Sequence, residues 1–204
     1  PTPTCVETPE GAFKDADVLI ALSKPGPDTI KPEWIRLMAD KSIVFACANP
    51  VPEIYPYKAK EAGAFIVATG RGDFPNQVNN SVCFPAILKG TLLVSASKIT
   101  DAMAIRAAHS IADFAEKQGI SQERIMPTMM DSDLFPNVAA DVAMQAIEDG
   151  VARKTRTWQE VYDIACKDIQ ETHELVELFQ DRGYIQPFPE EKVNEIIQQV
   201  CAEL

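Results

Sequence analysis

Metal-binding and thiol redox chemistry have few residues to draw on in this chain of 204 residues. It holds two histidines, His109 and His173, and five cysteines, an odd number that is widely spaced and never forms a CxxC pair. Cysteines set singly in apolar runs predict reduced, buried thiols rather than a disulfide framework, and a cytoplasmic setting. No apolar run approaches the roughly 18 residues that a membrane span needs, and the opening PTPTCVETPEG carries no charged-then-apolar leader, so neither membrane insertion nor secretion is expected. Positive charge is scarce as well: 19 Lys and Arg face 30 Asp and Glu, a net charge of −11. Phosphate backbones need a basic face, so nucleic acid is excluded as a partner. Neither a GxGxxG turn nor a Walker loop occurs, and no Ser–His–Asp set can be assembled.

What is present is a repeated unit. Asp17–Leu22, Ile43–Ala48 and Ala64–Ala68 are short apolar runs suited to parallel strands covered on both faces. Each ends in a loop rich in Pro, Gly or Asn, and helix signals with a leading proline fall between them, at Pro32 and Pro56. The rhythm of about 22–24 residues per unit is that of a parallel α/β sheet. Ligands of such sheets lie outside the carboxyl ends of the strands. Three loops occupy that edge: Ser23–Pro27, Asn49–Glu53 and Gly70–Asn80.

The third loop opens the stretch GRGDFPNQVNNSVCFP, with four carboxamides in five positions: Asn76, Gln77, Asn79 and Asn80. Carboxamides donate and accept without carrying charge, which suits recognition of a small polar ligand. The same residues also serve as plain turn and cap chemistry. Glu53 and Asp73 are isolated metal-ligand candidates, and Lys24 sits at a strand end; no evident general base or proton-transfer apparatus accompanies them. The chain is thus either a binding module or one part of a larger active site. Downstream, Asn79 to about Leu93 reads as helical, with Pro85 kinking it or lying early in it. Thr100-Asp101 caps an amphipathic helix striped by Met103, Ala107, Ile111 and Ala115, residues 126–135 read as irregular, and Asn137 to about Gly150 is a further helix. Residues 151–204 form a separate helical extension, and from Trp158 onward they hold 11 acidic against 3 basic side chains. His173 and Glu177 lie four apart there, which a solvated acidic face explains better than a metal pair.

The segments ADVLIALSKPG, IVFACANPVPEI, AGAFIVATGRGDFPNQVNNSVCFPAILKG, KIT and RIMP, in that order, resemble the C-terminal part of malic enzymes of the smaller bacterial type. The resemblance runs from about Asp15 to about Gly150. It implies an α/β fold: the later part of a Rossmann-like NAD(P)-binding domain over residues 1–150, followed by the acidic helical extension. It further implies NAD- or NADP-dependent oxidative decarboxylation of L-malate to pyruvate with bound Mg or Mn. Asn49 and Asn79 would then contact malate, Asn80 malate or the nicotinamide amide, and Ser23 with its loop the nicotinamide-ribose half of the cofactor. The family's catalytic Lys and Tyr, its metal carboxylates and its glycine-rich loop have no counterparts in these residues. The resemblance therefore predicts no catalytic residue and no metal ligand in this chain, no turnover by the chain alone, a partner in the N-terminal part of the same enzyme, and a homodimer. The alternative is a noncatalytic Rossmann-like sensor or assembly module.

Overall fold

A computed structural model describes residues 8–186 and 188–202; Cys5 lies outside the described residues. The three apolar runs form a parallel sheet in the order β1 (Val18–Ala21), β2 (Ile43–Ala46), β3 (Ile66–Thr69). A helix precedes each strand, and α1 (Pro9–Phe13), α2 (Pro32–Ile35) and α3 (Pro56–Glu61) each carry proline in the first turn. That position needs no backbone donor, so proline presets the helix there without losing a bond.

Register decides which sheet face is packed. Leu19, Val44 and Val67 form one row, and Ala21, Ala46 and Thr69 another. Both rows point into a core shared with Phe13, Ile35, Met38, Ile54 and Ala59. The alternate row faces the other way, and it opens toward the edge strand β1: Ala68 is buried, Phe45 is half-buried, and Ile20 is 65% exposed. Parallel strands this apolar are ordinarily covered on both faces.

After β3 the chain makes a 3-10 turn (Asn80–Val82) and then α4 (Phe84–Leu93), with Pro85 in its first turn. The sequence leaves open whether Pro85 kinks a longer helix or sits early in it; it sits early, and the helix begins after the turn. Helix α5 (Asp101–Gln118) is capped by Thr100, whose hydroxyl accepts from the Met103 N–H at 3.1 Å, and the predicted stripe of Met103, Ala107, Ile111 and Ala115 is buried. Helix α6 (Leu134–Glu148) starts three residues before the predicted Asn137, because Pro136 falls in a first turn that tolerates it. Its alanines let α4 approach closely: a methyl on Gly90 would lie 2.3 Å from the Ala139 carbonyl oxygen.

A 24-residue helix, α7 (Trp158–Asp181), and α8 (Glu190–Ala202) complete the described chain. Two compact units divide between Tyr162 and Asp163. Residues 151–162 belong to the first: the Arg153 and Lys154 N–H groups donate to the Val94 carbonyl, the Arg156 guanidinium to that of Leu93, and the Trp158 indole to Asp141 at 2.9 Å. Cys47, Cys83, Cys166 and Cys201 are free thiols. The expectation that they are buried fails: the first three are half-buried, and Cys201 is exposed on α8. No helix among the described residues is long and apolar enough to cross a membrane.

Candidate active-site edge

The three strand-end loops meet at the carboxyl edge of the sheet through bonds that the chain's order does not reveal. Ser23 follows β1, and its N–H and hydroxyl both donate to Glu53 Oε1, at 2.8 and 3.1 Å. The other carboxylate oxygen of Glu53 accepts the Ala48 N–H at 3.0 Å, at the end of β2. Glu53 is fully buried. Its charge and the burial of Cys47 push the Cys47 thiol up, burial being the larger cause. The second and third loops are tied by Arg71, which donates to the Pro50 carbonyl at 3.2 Å, grips Asp73 with two nitrogens at 2.7 and 2.6 Å, and lies over the Phe74 ring.

The carboxamides of the third loop divide into two kinds. Asn76 is 6% exposed, and its amide serves the fold: both Nδ2 protons go to the carbonyls of Val67 and Gln122, and Oδ1 accepts the Ile125 N–H at 2.9 Å. Its φ of 56° is left-handed, a region that Asn tolerates better than most residues. Of the two readings that the sequence leaves open for these carboxamides, Asn76 takes the structural one. Gln77 points back to the Gly70 carbonyl, at a long 3.5 Å.

Asn79 is half committed. Its Oδ1 caps the 3-10 turn through the Ser81 N–H at 2.9 Å, and its Nδ2 reaches the Gly70 carbonyl at 3.3 Å, which leaves one donor and one lone pair. Asn49 and Asn80 are exposed, and neither side chain has a hydrogen-bond partner among the described residues. Asn49 and Asn79 converge on Gly70, where a methyl group would stand 3.2 Å from Asn49 Oδ1. Ser23 joins this group only through Glu53, and Asn80 stands at the start of the 3-10 turn. The edge thus presents free or partly free carboxamides on loops braced beneath by a buried carboxylate and an arginine.

No three His, Cys, Asp or Glu side chains among the described residues come together as a metal site. Glu53 and Asp73, the isolated candidates, are both engaged: one accepts from three donors, and the other is paired with Arg71. These residues do not fit a divalent cation. His109 and His173 are exposed on their helices. The ties that Glu53 and Arg71 make between loops escape sequence reading, because they run largely to backbone groups: the N–H of Ser23, the N–H of Ala48 and the carbonyl of Pro50.

A parallel sheet with flanking helices and polar loops at its carboxyl edge defines a Rossmann-like nucleotide-binding domain. Residues 12–148 match the family model described as "Malic enzyme, NAD binding domain", and the chain belongs to the malic enzyme family. The bifunctional malic/malolactic enzyme of Bacillus subtilis (strain 168) is 46% identical over 156 residues, covering 74% of this chain and 38% of that protein. The crystal structure of Entamoeba histolytica malic enzyme superposes with a TM-score of 0.93 at 59% identity, covering 99% of this chain and 42% of that one. That of the Pyrococcus horikoshii Ot3 malic enzyme gives 0.80 at 44% identity, covering 85% and 40%. Enzymes named NADP-dependent and NAD-dependent are both among the relatives, and the chain spans about two fifths or less of the length of each protein compared.

Proposed function

We propose that this chain supplies the substrate- and nicotinamide-contacting edge of a malic enzyme, which oxidises L-malate with NAD or NADP and decarboxylates the product to pyruvate and CO2. The observation that carries this reading is the convergence of Asn49 and Asn79 on Gly70 in a chain of the malic enzyme family. Asn49 and Asn79 hold malate by donating to its carboxylate and hydroxyl oxygens, and they do so without adding charge. Asn80 contacts malate or the nicotinamide carboxamide, whose donor and acceptor complement its own. Ser23 and its loop line the nicotinamide-ribose half. A nicotinamide held by Asn80 and the Ser23 loop would supply the hydride acceptor. Because the described residues do not fit the Mg or Mn of the reaction, its ligands, like the proton-transferring groups, belong to another part of the enzyme.

The apolar row that opens at β1 supports such a partner. Val18 is 48% exposed and Ile20 65%, a surface that the remainder of the polypeptide would cover. A homodimer and a cytoplasmic location belong to the same proposal, the first supported by the exposed apolar side chains of α7 and α8, the second by the free thiols.

The test is malate-dependent reduction of NAD+ or NADP+. An intact polypeptide carrying these residues turns over, and Asn49→Ala raises its malate KM about tenfold, the loss of roughly one hydrogen bond to a charged group. The isolated 204-residue chain shows no turnover. An intact polypeptide inactive toward malate would overturn the reading, and turnover by the isolated chain would overturn the division of labour.

A further inference from the structure

We propose that Glu53 is a positioning residue that locks the Ser23 loop to the Asn49 loop, so that one buried carboxylate couples nicotinamide binding to malate binding; this rests on the malic-enzyme reading above. Each oxygen of Glu53 serves a different loop: Oε1 takes both donors of Ser23, and Oε2 takes the N–H of Ala48, the neighbour of Asn49. The residue's own carbonyl accepts the Ile30 N–H at 3.0 Å, which braces it from the far side of the first loop. None of these bonds belongs to the strand ladder, which already closes at the Cys47 N–H bonded to the Ala21 carbonyl at 3.0 Å. Losing the carboxylate bonds loosens the ends of the two loops beside Ser23 and Ala48, leaves the Gly26 N–H on the Val51 carbonyl, and leaves the sheet paired.

The chemistry calls for a carboxylate. Three donors converge, and an ionised carboxylate only accepts. A carboxamide of the same shape turns an NH2 toward either Ser23 or Ala48, so one loop is released and a buried N–H is left without a partner. Glu53 does not itself touch substrate in this arrangement. It sets the separation between a cofactor-side group and a substrate-side group, and small misplacements at a reacting centre are expensive.

The test compares Glu53→Gln with wild type in the intact polypeptide that carries these residues. In the variant, KM for malate and KM for the nicotinamide nucleotide rise together, each by about tenfold. Amide exchange accelerates at whichever of Ser23 and Ala48 then faces the carboxamide NH2, while Cys47 keeps its protection. A role confined to stability lowers the melting temperature and the active fraction but leaves both KM values in place; that result, or movement of one KM alone, overturns the inference. Glu53→Asp, which keeps the charge on a shorter arm, moves both KM values in the same direction by less, and it serves if the Gln variant does not fold. Wild type without malate turnover defeats the malic-enzyme reading itself, whereas an active wild type with an indifferent Glu53→Gln defeats this inference alone.

Discussion

The strand-end loops and the last two helices employ the same polar residue types over opposite ranges. At the sheet edge the polar bonds cross long stretches of chain: Ser23 to Glu53 spans 30 positions, and Asn76 to Ile125 spans 49. Among the described residues beyond Asp163, the bonds from Gln170 to Glu174 and from Thr172 to Asp168 each span four positions. Burial follows the same division. Glu53 and Asn76 are buried, whereas from Glu171 to Cys201 every described side chain is exposed except the half-buried Val193. A polar group that reaches far is part of the tertiary fold, and removing it orphans buried partners. One that reaches a single helical turn stabilises only its own helix, by a few tenths of a kcal/mol.

The largest effect that separates the regions is expected at Asn76. Asn76→Ala leaves the Val67 carbonyl, the Gln122 carbonyl and the Ile125 N–H without their partner and puts alanine at a left-handed φ. The cost is about 3 kcal/mol, a large share of a domain's stability. Trp34 and Trp158 both lie in the first unit, so the urea midpoint read by tryptophan fluorescence reports on it. A loss below about 1 kcal/mol would show that the long-range bonds of the edge are dispensable, and the contrast would break.

A smaller effect belongs to the loop that Asn76 grips. Asp131 is held below its ordinary 3.8, chiefly by the Thr128 N–H at 2.7 Å, with help from Gln118, the Thr128 hydroxyl and Arg124. A carboxylate lowered by folding stabilises fully above its unfolded value, and that stability fades as pH falls below 3.8 through the lower folded value. Asp131→Asn therefore costs about 1 kcal/mol at neutral pH, and the gap to wild type narrows below pH 4. A gap that stays constant with pH would mean that the charge of Asp131 plays no part.

Much of the fold was legible because it rests on local signals. Apolar runs bounded by proline and glycine marked three strands to within about two residues, and Pro32, Pro56 and Thr100 marked helix starts. The gathering of the strand-end loops was legible too, since Ser23, Asn49 and Asn79 lie at one sheet edge. The site was not legible in function group by group. Asn76 and Asn80 look alike in sequence, yet one is buried with three side-chain hydrogen bonds and the other is exposed. What separates them is a backbone carbonyl at Gln122 and an N–H at Ile125, and backbone donors carry no sequence signature. Glu53 was obscured for the same reason, two of its three donors being amide N–H groups. Of the two options for Pro85, the early position holds, and Pro136 likewise sits in a first turn, where proline permits a helix rather than ending one.

The smallest expected effect tests the other half of the contrast. Leu175 is 53% exposed on α7, in a stretch where the described chain buries nothing. Leu175→Ala removes apolar surface that is already in water, and alanine is as good a helix former, so far-UV circular dichroism of the isolated chain registers a change within about 0.5 kcal/mol. The same substitution in the intact polypeptide separates two states of the tail. If the apolar side chains of this helix stay in water, the change remains small at every protein concentration. If a second copy covers them, as the proposed homodimer requires, the loss grows to about 2 kcal/mol and depends on concentration, because burial and association are then linked. The concentration dependence is the informative reading: it alone tells a helix that merely protrudes from one whose burial is supplied by its partner.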